Sequence, residues 1–208
     1  VVYSTQYNPA LLFPIARFQA RSSLGINSQS LPFYGEDIWN AYELSWLNSK
    51  GLPQVAVAVF YFPFNSIAIV VSKSFKLYLN SLNQTVFASQ QEILECLTTD
   101  LTNAVGAHVR AEIMAPKDWQ FPSSNETSHF VNLDEQDIAI TEYSTNDRLL
   151  VANSNKHVTE SLQSHLLRSL CPVTGQPDWG CVQISYQGEQ IDHVGLLRYI
   201  VSYREHQE

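Results

Sequence analysis

Two stretches of this chain overlay without a gap when set on a shared Gly-x-Pro turn. Ser45-Trp46-Leu47-Asn48-Ser49-Lys50-Gly51-Leu52-Pro53-Gln54 lies over Ser169-Leu170-Cys171-Pro172-Val173-Thr174-Gly175-Gln176-Pro177-Asp178. Farther on, residues 77–82 lie over residues 198–203 after a small shift. Two copies of one β-hairpin unit account for this, so the chain is expected to fold as related modules. The copies differ where chemistry would sit. Cys171 falls opposite Leu47, Asp178 opposite Gln54, and Ser72-Lys73 opposite His193-Val194.

With 208 residues, 45% apolar and 15% charged, the chain can bury a core, and wholesale disorder is excluded. Residues 1–36 lack periodicity and read as an irregular arm. Residues 42–48 and 54–64 read as strands around a turn, the second apolar on both faces and therefore buried. Residues 66–82 continue as a β-rich segment. The clearest helix spans 90–105: Ser89 caps it, Glu92 completes a capping box, and Ile93, Leu97, Leu101 and Val105 share one stripe. Gly106 is placed to end it. Residues 108–114 alternate as a strand, 115–136 read as a polar connection, 138–143 as a further strand and 157–168 as a short amphipathic helix. The expected class is α+β, with antiparallel sheets and helices on one face. The expected division is an arm at 1–36, a first module at 37–150 and a second at 151–208.

A formal net charge of −8 without a basic patch argues against direct nucleic-acid binding. No apolar run reaches membrane-spanning length, and the first residues do not form a secretory leader, so a cytoplasmic protein is expected. Three cysteines without CxxC spacing and six scattered histidines suggest neither a disulfide framework nor a metal site. Cys96 and Cys181 read as core thiols, His193 as a surface residue, and Asp134-Glu135-Gln136-Asp137 as a solvated loop.

Cys171 is the candidate nucleophile, since it precedes a proline-containing turn from which a side chain can project. Asp178 follows seven residues later, within reach across a reversal, and a carboxyl kept from water can act as a general acid. Trp179 is a candidate for excluding that water. On spacing alone, a core thiol and a turn cap are the more ordinary roles for the pair. Ser72-Lys73-Ser74-Phe75-Lys76, read as a strand, puts Lys73 and Phe75 on one face and Lys76 on the other. A solvated edge with protective lysines is its ordinary reading.

The two motifs together resemble the bimodular nitrile reductases that convert 7-cyano-7-deazaguanine to its aminomethyl form in queuosine biosynthesis, a tRNA-modification route. The resemblance implies tandem tunnelling-fold (T-fold) modules and a homodimer. It also implies that Cys171 attacks the nitrile to give a thioimide, that Asp178 donates protons, and that NADPH supplies hydrides. Val70, Val71 and Ser72 would then contact the base, and Ser72 and Lys73 the cofactor phosphates. No metal is implied. The chain departs from the pattern at Val71, where the family carries a glutamate for the guanine-like edge. It also departs after Glu208, where the family continues into a Phe-His-Glu segment, so the resemblance implies an incomplete second module whose hairpin lacks a covering helix. Two alternatives stay open. One is a non-catalytic or truncated relative that binds a purine-like ligand or partner chain; the other is a thiol-dependent hydrolase or amidine-forming enzyme needing no NADPH.

Overall fold

The apolar run near residue 60 becomes β3 (Pro53–Pro63), the middle strand of an antiparallel sheet in the computed structural model, which describes residues 4–120, 129–171 and 174–207. On one side β2 (Glu36–Leu47) pairs with it from Glu36↔Pro63 to Leu47↔Pro53; on the other lies β5 (Arg110–Met114). Ala56, Ala58, Phe60 and Phe62 alternate onto one face of β3 and are buried there. That face is covered by α3 (Gln90–Val105), whose stripe of Ile93, Leu97, Leu101 and Val105 is fully buried in the same core. The helix begins as its sequence signals: Ser89 Oγ accepts from the Glu92 N–H at 3.2 Å, and the Glu92 carboxylate accepts from the Ala88 N–H at 2.6 Å. Gly106 ends it at φ 70°, where a Cβ would lie 2.9 Å from Ile67 Cδ1.

The arm is more ordered than its composition suggests. β1 (Pro14–Ala16) pairs antiparallel with β4 (Ala68–Val70), and α1 (Arg17–Ser23) follows it. Residues 66–82 depart further from the β-rich reading: β4 is only three residues long and gives way to α2 (Ser72–Ser81). Phe75, Leu77 and Leu79 alternate like a strand, but the residues that reach the core, Phe75, Tyr78 and Leu82, follow helical spacing. Lys73 and Phe75 therefore do not share a strand face.

Beneath α2, Asp100 Oδ2 accepts from Tyr78 Oη at 2.6 Å and from Tyr7 Oη at 2.8 Å, tying the arm to α3. The Cys96 thiol lies 3.7 Å from the same oxygen. Burial, and then the Asp100 carboxylate, push both phenols well above the usual tyrosine range.

The chain divides into two compact units, Val1–Phe121 and Pro122–Glu208. The second is built on a long hairpin of β7 (Ala152–Leu170) and β8 (Pro177–Ile191), with β6 (Val131–Asn132) parallel to β7. Residues 157–168 are thus strand, not helix. Residues 138–143 form no strand, yet Ile138 and Ile140 pack with Leu133 into the second unit's core. The boundary expected after residue 150 would place them in the first module, whereas they belong to the second unit. Part of the polar connection, 121–128, lies outside the described residues. α4 (His193–Ser202) buries Leu196, Leu197, Ile200 and Val201 against Leu162, so the second hairpin does have a covering helix.

The internal repeat is visible in the pairing. Leu47↔Pro53 and Leu170↔Pro177 end the two ladders, each with a bulge three residues earlier, at Ala41/Leu44 and Ser164/Leu167. Leu47 forms a parallel bridge with Val86, and Leu170 with Gln207. The second loop is one residue longer. The gapless overlay therefore holds for Gln54 and Asp178 but slips on the first strand, where Cys171 corresponds to Asn48 and Ser169 to Trp46.

The raised phenols work in one direction. Their stabilisation is complete below the unfolded-chain tyrosine pKa of about 10 and is lost as the pH climbs beyond it. Denaturant unfolding should show stability falling above about pH 10. Tyr78→Phe should flatten that fall; an unchanged alkaline limb would contradict the network's role.

Candidate active site

Cys171 closes the β7–β8 loop. Its N–H donates to the Gln176 carbonyl at 2.9 Å, and its carbonyl accepts from the Gly175 N–H at 2.8 Å. Gly175 holds φ +69°, a left-handed conformation that L side chains rarely adopt, so glycine suits this reversal. Below the loop, Leu170 faces Pro177 and Ser169 faces Asp178. Side chains alternate along a strand and directly opposed residues share a face. Ser169 and Asp178 therefore lie on one face, and carrying the alternation one residue past the last ladder pair puts Cys171 there too, as a diagonal neighbour of Asp178, an arrangement with Cα atoms about 7–8 Å apart. Cys171 is half-buried and Asp178 exposed.

Trp179 belongs to the opposite face. It stands across from Arg168, and two guanidiniums lie over its ring, Arg168 at 5.8 Å and Arg204 at 5.6 Å. Arg168 also donates to the Arg204 carbonyl at 2.7 Å. The indole braces the back of the hairpin and does not shield Asp178. Cys181 is exposed rather than in the core, while Cys96 is half-buried, with its thiol pushed up by burial.

The β7 bulge has a specific support. Asp134 Oδ1 accepts from Ser164 Oγ at 2.7 Å, and Oδ2 from the His165 N–H at 2.9 Å. Ser164 Oγ in turn accepts from the Leu166 N–H at 3.2 Å. One member of the acidic run is therefore committed to backbone geometry, and no metal-competent cluster occurs among the described residues.

His193, read from sequence as a surface residue, opens α4 and brings Nε2 to 3.1 and 3.2 Å from the Glu160 carboxylate oxygens. Tyr186, directly across from Glu160, donates to the same carboxylate and accepts from the Ile191 N–H at 2.8 Å. Burial alone would raise the Glu160 carboxyl, but the hydrogen bonds from Tyr186 and His193 and the nearby positive charges outweigh it and hold the group below its usual range. The sequence holds one clue to this cluster: Glu160 alternates in phase with Leu162, putting a carboxylate on an inward face.

The other candidates sit at the β4–α2 junction. Val70 is 2% exposed and belongs to the first unit's core, so it offers a ligand no open surface. Val71 is the N-cap of α2, half-buried, with its N–H donating to the Phe13 carbonyl at 2.9 Å. Ser72 and Lys73 are exposed in the first helical turn, which has no side-chain cap. A lysine beside uncapped helix N–H groups suits a phosphate, so this turn fits the anionic part of a dinucleotide. Lys76 instead pairs with Glu43 at 3.2 Å. Ser72 also reaches the rim of a groove of about 710 Å³ lined by Trp39, Tyr42, Phe75, Lys76 and Asn80.

Comparison with known proteins matches residues 3–113 to the family model described as nitrile reductase, 7-cyano-7-deazaguanine-reductase N-term. The chain is 53% identical over 206 residues to the NADPH-dependent 7-cyano-7-deazaguanine reductase of Burkholderia lata, covering 99% of this chain and 74% of that one. It is 52% identical over 208 residues to the protein of the same name from Burkholderia cenocepacia, covering 99% and 75%. With that from Paraburkholderia phytofirmans it shares 51% over 205 residues, covering 98% and 74%.

Removing the Asp134 carboxylate strands one hydroxyl and one backbone N–H. Asp134→Ala should cost about 1–3 kcal/mol in denaturant unfolding and speed hydrogen exchange at His165 and Leu166. Native-like stability and exchange would show that the bulge stands without it.

Proposed function

Because the chain belongs to the family of NADPH-dependent 7-cyano-7-deazaguanine reductases, we propose that it reduces 7-cyano-7-deazaguanine to the aminomethyl base in queuosine biosynthesis, with Cys171 as nucleophile and Asp178 as proton donor. The observation that supports this reading is the pairing of Asp178 with Ser169, two residues before Cys171 at the hairpin tip. A planar nitrile over that face meets a thiol at one end and a carboxyl at the other. The Cys171 sulfur attacks the nitrile carbon, forming an S–C bond and breaking one C–N π bond. Asp178 protonates the nitrogen and recovers the thiol's proton, leaving a thioimide. NADPH, when bound, supplies the two hydrides that bring this carbon to the amine level. Between the two, Cys171 departs with the electrons of the S–C bond and is reprotonated, which restores the thiol and leaves a C=N bond for the second hydride.

In this reading Ser72 and Lys73 hold cofactor phosphates, and Val71 and Ser72 meet the base, with Val70 buried behind them. The two units are successive tunnelling-fold modules of a cytoplasmic homodimer. Val71 gives no acceptor to the polar edge of the base, and each group left unpaired costs about 1–3 kcal/mol. That substitution favours a second reading, in which the chain binds a purine-like ligand without reducing it.

Intact-protein mass after mixing with the nitrile, in the absence of NADPH, separates the two. The chain should gain the mass of one nitrile and Cys171→Ala none. A folded chain that gains nothing excludes the covalent reading.

A further inference from the structure

The two hairpins are equivalent position by position, yet their helix-covered faces are filled differently beside the loop. In the first unit Trp46 stands opposite Gln54, is 5% exposed, and belongs to the core with Phe87, Phe60 and Ala56. In the second, Ser169 stands opposite Asp178 at the same distance from bulge and loop, and it is half-buried. Among the described residues its hydroxyl has no hydrogen-bond partner. The loop positions differ in the same sense. Asn48, the counterpart of Cys171, spends Oδ1 on the N–H groups of Lys50 and Leu52, at 2.9 and 3.0 Å. One hairpin tip is thus closed by an indole and a committed amide, and its counterpart carries a hydroxymethyl group between a thiol and a carboxyl.

We infer that Ser169 is a specificity-determining residue: its small side chain leaves room beside Cys171 and Asp178 for a planar fused-ring nitrile, room that Trp46 fills in the first unit. Ser169 lies directly across from Asp178 and two residues before Cys171. A ring whose nitrile carbon reaches the sulfur and whose nitrogen reaches the carboxyl passes over this position. An indole there would occupy the ring's place without touching either reacting group. Backbone pairing at the position does not depend on the side chain, since Trp46 and Ser169 hold equivalent places in their ladders.

The inference rests on the proposed nitrile chemistry, and its test separates the two. The full chain, Ser169→Ala, Ser169→Leu and Ser169→Trp are compared for two reactions of Cys171: covalent gain of 7-cyano-7-deazaguanine and alkylation by iodoacetamide, each followed by intact mass. Circular dichroism checks the fold. The nitrile reaction should stay within about threefold in Ser169→Ala, fall at least tenfold in Ser169→Leu, and vanish in Ser169→Trp, while alkylation stays within about threefold throughout. If Ser169→Trp does not fold, Ser169→Leu alone decides. Undiminished nitrile reaction in a folded bulky variant overturns the inference, and so does parallel loss of alkylation, which would mean that the side chain only shields the thiol. An unsubstituted chain that is alkylated but takes no nitrile refutes the proposed function instead.

Discussion

The bulge in β7 is the constraint on which the candidate site depends. An extra residue between Ser164 and Leu167 changes which residues of the strand face the covering helix. Before it, Leu162 and Ser164 point inward; after it, Leu167, Ser169 and Cys171 do. Without that offset Cys171 would share a face with Trp179 rather than Asp178. The Asp134 carboxylate, bonded to Ser164 and His165, holds the bulge from a loop thirty residues upstream. On the reverse face, the Arg168 and Arg204 guanidiniums lie over the Trp179 ring. The relation of thiol to carboxyl is thus set by backbone register.

Parts of this were legible in the sequence. The α3 boundaries follow from Ser89, Glu92 and Gly106, because capping is local and each signal acts within one turn. β3 follows from a run too apolar for solvent. The repeat was legible too, though only to within one residue, since the extra loop residue after Cys171 is invisible until the ladders are paired. That slip matters: it matched Cys171 with Leu47 and hid the exchange of Trp46 for Ser169.

What was missed shares a physical cause. β7 does not read as a strand because its inward face carries Glu160 and Ser164, polar residues that blur the alternation. Both are satisfied by groups far away in sequence, Glu160 by Tyr186 and His193, Ser164 by Asp134. α2 fits both periods, and only the tertiary core selects Phe75, Tyr78 and Leu82 over the alternating set. Residues 133–137 look like the end of a polar connection because Leu133 is followed by four polar residues, yet Leu133, and beyond them Ile138 and Ile140, enter the second core. In each case a long-range partner overrides a local pattern.

The central claim is that Cys171 and Asp178 act together on a nitrile. Its most direct test is loss of nicotinamide absorbance on adding 7-cyano-7-deazaguanine and NADPH to the chain, with the product identified by mass. The account predicts two NADPH oxidised for each nitrile converted to the primary amine, with turnover abolished in Cys171→Ala and strongly reduced in Asp178→Asn. Turnover that survives Cys171→Ala, or no NADPH oxidation by the folded chain, would contradict it.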